Sequence, residues 1–174
     1  MARQHLTTAR HNPRMPPARL PSVLFICTGN ICRSPTAHAL LVHQARAAGL
    51  QVEVDSAAIS DEERGNPFDR RAAAELHRRG VPAHAHCARQ VRREDFARFD
   101  WIVGMTQAHC AALRRQAPAG AHAQIALMLD FAPGHAGEDV PDPWYGSAQD
   151  FVHAFDLIER GVGGLLARIS RPNP

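Results

Sequence analysis

The apolar positions of this chain fall in short blocks whose period changes along its length. Residues 22–27 are dense in Val, Leu, Phe and Ile and read as a first strand. A helix follows over about 34–49, filled out by Ala37, Leu40, Leu41, Ala45 and Ala48; Pro35 suits its first turn and Gly49 ends it. Val52 and Val54 alternate with polar neighbours over 51–56, a second strand. A polar loop, 59-ISDEERGNPFD-69, precedes a helix from about 69 to 79 that stops at Gly80. A short turn or helix is expected near 94–99 and an apolar third strand at 101–105. Thr106 is placed to cap a helix running to Arg115, and 125–129 reads as a fourth strand. Residues 132–150 are rich in Gly, Pro and Asp and read as loop. From 147 or 148 to 169, Phe151, Phe155, Ile158, Val162 and Leu165 recur near the helical period. Gly161, Gly163 and Gly164 lower the helix propensity there, and a bend or break is expected.

Strands alternate with helices, and the connections are long enough for parallel pairing. The expectation is an α/β domain: three layers, with a central parallel four-stranded sheet flanked by helices. Ligands of such sheets bind beyond the carboxyl ends of the strands. Residues 1–20, ending in a Pro-rich run, read as a disordered tail before one domain spanning 21–170.

Composition narrows the class. Of 174 residues, 45% are hydrophobic, enough for a buried core. There is no run of eighteen apolar residues and no signal-like leader, so the expectation is a cytoplasmic protein without a membrane span. The net charge is +3, and every non-histidine cation is arginine. The doublets at 70–71, 78–79, 92–93 and 114–115 are scattered rather than striped, which argues against a nucleic-acid surface. Cys27 and Cys32 lie close, but neither Cys87 nor Cys110 completes a zinc-like spacing, so no metal or other cofactor is expected.

The chemistry concentrates in 27-CTGNICRSP-35. This segment leaves the first strand at its carboxyl end. Gly29 and Asn30 tolerate left-handed backbone, so successive N–H groups can curl inward as an anion nest. The helix that follows adds unpaired amides and the positive end of its dipole. Arg33 carries a fork matched to phosphate oxygens. The same field favours the thiolate of Cys27, a nucleophile beside a bound phosphate ester. The loop lacks the ending of a Walker A motif and is not C-x-x-C. A proton must reach the leaving group, and Asp130, Glu138, Asp139 and Asp142 are the acids of the C-terminal loop.

The segment 27-CTGNICRSP-35 resembles the signature of low-molecular-weight protein tyrosine phosphatases, as does 142-DPWYG-146. Weaker likeness in 86-HCARQV-91, 95-DFARFDWIVGM-105 and 151-FVHAFDLIERGVGGLL-166 extends the resemblance over about 21–169. It implies that Cys27 is the nucleophile, Arg33 the phosphate clamp and Asp142 the general acid, then base. It makes Asn30 the support of the strained loop and Ser34 a hydrogen-bond donor to the thiolate, where the plain alternative is a helix cap. It places Thr28, Gly29, Asn30, Ile31, Cys32, Ser34, Trp144 and Tyr145 around the substrate, with Tyr145 rather than Trp144 expected to anchor its loop. Cys32 would trap an oxidised Cys27 as a disulfide. His86 and Arg89 read as structural, Arg89 bonded across to a carboxylate. Thr106 and His109 stand where the family pattern has Asp and Asn, and the loop 59–71 lacks its Gly-Thr. These departures are expected to alter packing and the macromolecule met, not the chemistry. The implied partner is a phosphotyrosyl protein; a bacterial tyrosine kinase or an exopolysaccharide-pathway protein is the context the resemblance suggests. The rivals are a thiol-coupled arsenate reductase of the same fold, which would need resolving cysteines, and an idle phosphate-binding regulatory module.

Overall fold

A computed structural model describes residues 19–171; of the tail expected over 1–20, residues 1–18 lie outside it. Ten elements follow in order: β1 (Ser22–Cys27), α1 (Arg33–Ala47), β2 (Glu53–Ala58), α2 (Arg70–Arg78), α3 (Asp95–Arg98), β3 (Trp101–Gly104), α4 (Gln107–Gln116), β4 (Gln124–Leu127), a 3-10 turn (Met128–Phe131) and α5 (Ala148–Ile169). The strands form one parallel sheet in the order β2-β1-β3-β4.

The strand β1 is buried along its whole length because it has a neighbour on each side and a layer on each face. Its side chains alternate between two cores. Val23, Phe25 and Cys27 join the core under α1, α2 and α5, while Leu24 and Ile26 join Phe96, Phe99, Ile102 and Leu113 on the opposite face. That alternation produces the three layers. No described helix is long and apolar enough to cross a membrane.

Two strands sit differently from the sequence reading. The β2 strand runs 53–58, not 51–56, because it pairs residue for residue with β1, from Ser22–Glu53 to Cys27–Ala58. Its last three residues, Ser56, Ala57 and Ala58, are buried but too small to give a period-2 signal. The β4 strand ends at Leu127 because β3 offers only four residues to pair; Met128 then turns into the 3-10 segment.

The expected break in the last helix is absent: α5 runs unbroken from 148 to 169. Its glycines serve close approach instead. A Cβ on Gly161 would stand 2.8 Å from the carbonyl oxygen of Met128, and one on Gly164 would overlap the carbonyl of Phe131. Packing against the 3-10 turn therefore outweighs the low propensity of glycine, which is about 1 kcal/mol per residue.

Helix ends match the sequence more closely. The Asp69 carboxylate accepts from Arg71 N and Ala72 N at the start of α2, and the Thr106 hydroxyl accepts from His109 N at the start of α4. At α5, Asp150 accepts from both the N–H and the hydroxyl of Ser147.

Candidate active site

The loop between β1 and α1 wraps around the thiol of Cys27. The Asn30 N–H donates to Cys27 Sγ over 3.3 Å, and Ser34 Oγ lies 3.0 Å from the same sulfur. Asn30 is wholly buried, and its φ of 60° makes it the one described non-glycine residue with left-handed backbone. Its side chain is a hub. Nδ2 donates to Ser34 Oγ and Ser56 Oγ, each at 2.9 Å, and Oδ1 accepts from Arg89 N at 3.0 Å. An amide donating to Ser34 leaves the Ser34 hydroxyl proton free to be donated to Cys27 Sγ. His86 Nε2 donates to the Asn30 carbonyl.

The cap reading of Ser34 does not hold. The helix begins at Arg33 with Cys32 as its first flanking residue, and the Ser34 hydroxyl faces the sulfur rather than the helix end. The structural reading of Arg89 does hold: its guanidinium joins Asp55 and Asp95, tying the loop's rear to β2 and α3.

Arg33 is 4% exposed although it carries a full charge. Its Nη1 donates to the Val140 carbonyl at 3.2 Å, and its Nη2 meets Asp142 Oδ2 at 2.5 Å and Thr28 Oγ1 at 3.5 Å. Asp142 is therefore the acid of the C-terminal loop that reaches the thiol loop. Asp139 is taken by Gln107 N and Asp130 by Gly137 N.

These groups surround a cavity of about 240 Å³. Cys27, Thr28, Gly29, Ile31, Cys32 and Arg33 form one part of its lining; Asp142, Trp144 and Tyr145 come from the loop before α5. Asn30 and Ser34, expected at the substrate, are instead fully buried behind it. Burial, reinforced by Cys27, pushes the Cys32 thiol well up and keeps it protonated. Cys87 is exposed, Cys110 is buried, and all four cysteines are free.

The aromatic pair is reversed from expectation. Trp144 anchors the loop: its carbonyl accepts from Arg71 Nη1 at 2.9 Å, and the Arg71 guanidinium lies 5.0 Å from its ring. Tyr145 is 97% exposed at the cavity's edge.

Three neighbours of the site escaped the sequence reading. Glu62 and Glu63, from the loop after β2, line the cavity, and the Glu63 side chain crosses over Gly29. His109 Nε2 lies 3.0 Å from Thr28 Oγ1. The departures at 59–71 and at 109 thus reach the site itself, because both segments leave the carboxyl ends of strands beside β1. That topology was the available signal. Behind the loop, His38 stacks on His84 with ring centroids 4.0 Å apart, and His84 meets His86 edge to face at 5.5 Å. Burial holds all three below the usual histidine range, His38 at about 4.

A buried thiol in the loop after β1, sharing a cavity with a buried guanidinium and a carboxylate, has the makings of a phosphoric monoester hydrolase. The family model for low molecular weight phosphotyrosine protein phosphatase matches residues 22–173, and the chain belongs to this protein-tyrosine-phosphatase family. It is 42% identical over 135 residues to low molecular weight phosphotyrosine protein phosphatase 1 of Drosophila melanogaster, covering 76% of this chain and 86% of that one. The crystal structure of YfkJ from Bacillus subtilis superposes with a TM-score of 0.81 at 36% identity, covering 88% of this chain and 97% of YfkJ. The drosophila arginine phosphatase structure gives a TM-score of 0.81 at 27% identity, over 87% and 99%.

Proposed function

We propose that this protein hydrolyses phosphotyrosine and other aryl phosphate monoesters through a cysteinyl-phosphate. The carrying observation is the meeting of Arg33 with Asp142 in the cavity that Cys27 also lines. Backbone N–H groups and Arg33 bind the phosphoryl oxygens. The Cys27 thiolate attacks phosphorus, the S–P bond forms, and the P–O bond to the leaving group breaks. Asp142 gives its proton to the departing oxygen. The resulting carboxylate then takes a proton from water as that water attacks phosphorus, which releases inorganic phosphate and restores the thiolate. Charge on the transferring group is carried by the nest and Arg33. Trp144 and Tyr145 offer aromatic surface to the phenyl ring. The partner is then a phosphotyrosyl protein.

Glu62 and Glu63 support a second reading. Carboxylates at the mouth favour a cationic leaving group, and a structural relative is named an arginine phosphatase. Phosphoarginine therefore belongs among the substrates tried. Arsenate reduction draws less support, since Cys110 is buried on α4 and donates to the Ala126 carbonyl, a poor position for a resolving thiol.

The test is phosphate release from aryl phosphates and from phosphotyrosyl, phosphoseryl and phosphoarginyl peptides, with a chelator present. Turnover of the aryl and tyrosyl compounds, lost in Cys27→Ser, is expected. A reduced wild-type protein that turns over none of them, or only phosphoarginine, overturns the tyrosine reading.

A further inference from the structure

His109 is buried, uncharged and beside the cavity, and the reaction proposed above gives it no task. Its place is built deliberately. Gly104, the last residue of β3, has no side chain, so the first turn of α4 can seat against the sheet end. A Cβ there would stand 3.1 Å from His109 Cβ and 2.8 Å from Cys110 Sγ. The seated turn directs Nε2 to the Thr28 hydroxyl at 3.0 Å, while Nδ1 is buried with no hydrogen-bond partner among the described residues.

Burial and then the nearby Arg33 charge hold His109 down to about 4, against smaller opposing effects of Asp142 and Asp139. At neutral pH the ring therefore carries one proton. A buried N–H without an acceptor is costlier than a bare nitrogen without a donor. The proton accordingly belongs on Nε2, where it has an acceptor, and Nε2–H donates to Thr28 Oγ1. Arg33 Nη2, which can only donate, approaches the same oxygen at 3.5 Å. With both donors aimed at the oxygen, the hydroxyl's own proton is left to face the cavity.

Resting on the phosphatase reading, we propose that His109 is a positioning residue that turns the Thr28 hydroxyl into a dedicated donor to an oxygen of the bound phosphoryl group. Thr28 stands immediately after the nucleophile and lines the cavity, so its donor adds to the nest at the reacting end. The imidazole itself touches no substrate.

The primary test is the tautomer, read from imidazole ¹⁵N shifts of the wild-type protein at pH 7. Protonated Nε2 with bare Nδ1 is expected; protonated Nδ1 overturns the proposal. The second is affinity for inorganic phosphate by calorimetry. Thr28→Val and His109→Leu should each weaken it about tenfold, the scale of one hydrogen bond to a charged group. The double variant should be little worse than either alone. Thr28→Ser and His109→Gln, which keep a hydroxyl and a side-chain N–H donor, should stay within about twofold of wild type. If His109 only filled space, Leu would serve at least as well as Gln, and that outcome sinks the idea. Wild-type affinity in Thr28→Val sinks it too. Wild-type protein that binds phosphate but hydrolyses nothing would instead defeat the phosphatase reading and leave this one standing.

Discussion

Arg33 Nη2 and Asp142 Oδ2 stand 2.5 Å apart, although one belongs to the first turn of α1 and the other to the loop before α5. The guanidinium side is 5% exposed and the carboxylate side 48%. The buried partner is fixed, and the exposed one is free to exchange places with an incoming anion. On the proposed mechanism, phosphate and Asp142 compete for one guanidinium.

Asp142→Asn should separate binding from proton transfer. Removing the competing charge should tighten inorganic phosphate as a competitive inhibitor. Turnover of phenyl phosphate should fall by about 10²–10⁴, the range for loss of a general acid. Turnover of a nitrophenyl ester, whose leaving group needs little help, should fall much less. Equal loss for both esters would return the acid's role to Asp139 or Asp130.

Asn30 carries the loop in two ways, through its left-handed backbone and through its amide. Asn30→Gly keeps the first and loses the second; Asn30→Ala loses both. We expect both variants to be less stable to urea, Ala more so, by a total of about 2–4 kcal/mol for lost buried hydrogen bonds and strain. Both should show slower burst kinetics, because the Ser34 proton is no longer directed at Cys27. Equal stability of the Gly and Ala variants would show that the backbone angle contributes nothing.

The imidazoles of His38, His84, His86 and His109 are all held below the free value of 6.5, chiefly by burial. Asp55 opposes this for His38 and His84, the Asn30 carbonyl and then Asp55 oppose it for His86, and Asp142 and Asp139 oppose it for His109. The unfolded chain thus binds more protons than the folded one between about pH 4 and 6.5. Stability should rise with pH across that window and fall as pH drops through it, by about 1.4 kcal/mol per unit of displacement per group. Urea midpoints measured from pH 7 to 4.5 check this. His38→Phe should flatten the slope; an unchanged slope would mean that His38 stays charged in the fold.

Much of this was legible beforehand. The Val-Leu-Phe-Ile run and the Cys-to-Arg spacing are local signals and located the thiol loop, whereas Asp142 was singled out from four acids by the family resemblance alone. What escaped has one physical cause. Glu62, Glu63, His109 and the His38–His84–His86 stack matter through neighbours far along the chain, with Thr28 and His109 lying 81 residues apart. The misjudged helix break has the same origin, since glycine's low propensity is local while its contact with the 3-10 turn is not. Trp144 was misassigned to the substrate side alone because its partner, Arg71, lies on α2.

Gly164→Ala should be costly, because its methyl would overlap the Phe131 carbonyl. A loss of at least 2–3 kcal/mol is expected, roughly the cost of overpacking. Gly163→Ala, whose Cβ would meet only Gln44 at 3.8 Å, should be neutral or stabilising. Thermal melts of the two variants side by side decide it.

That glycine contact has a mechanical meaning. The segment bearing Asp142 leaves the 3-10 turn and ends at Ser147, and α5 grips the turn through Gly161 and Gly164 in its second half and begins just past Ser147. One rigid rod thus holds both ends of the strap that brings Asp142 to the thiol loop. Damage to the rod, far from any bound phosphate, should be felt first in the timing of proton delivery and only later in how firmly the anion is held.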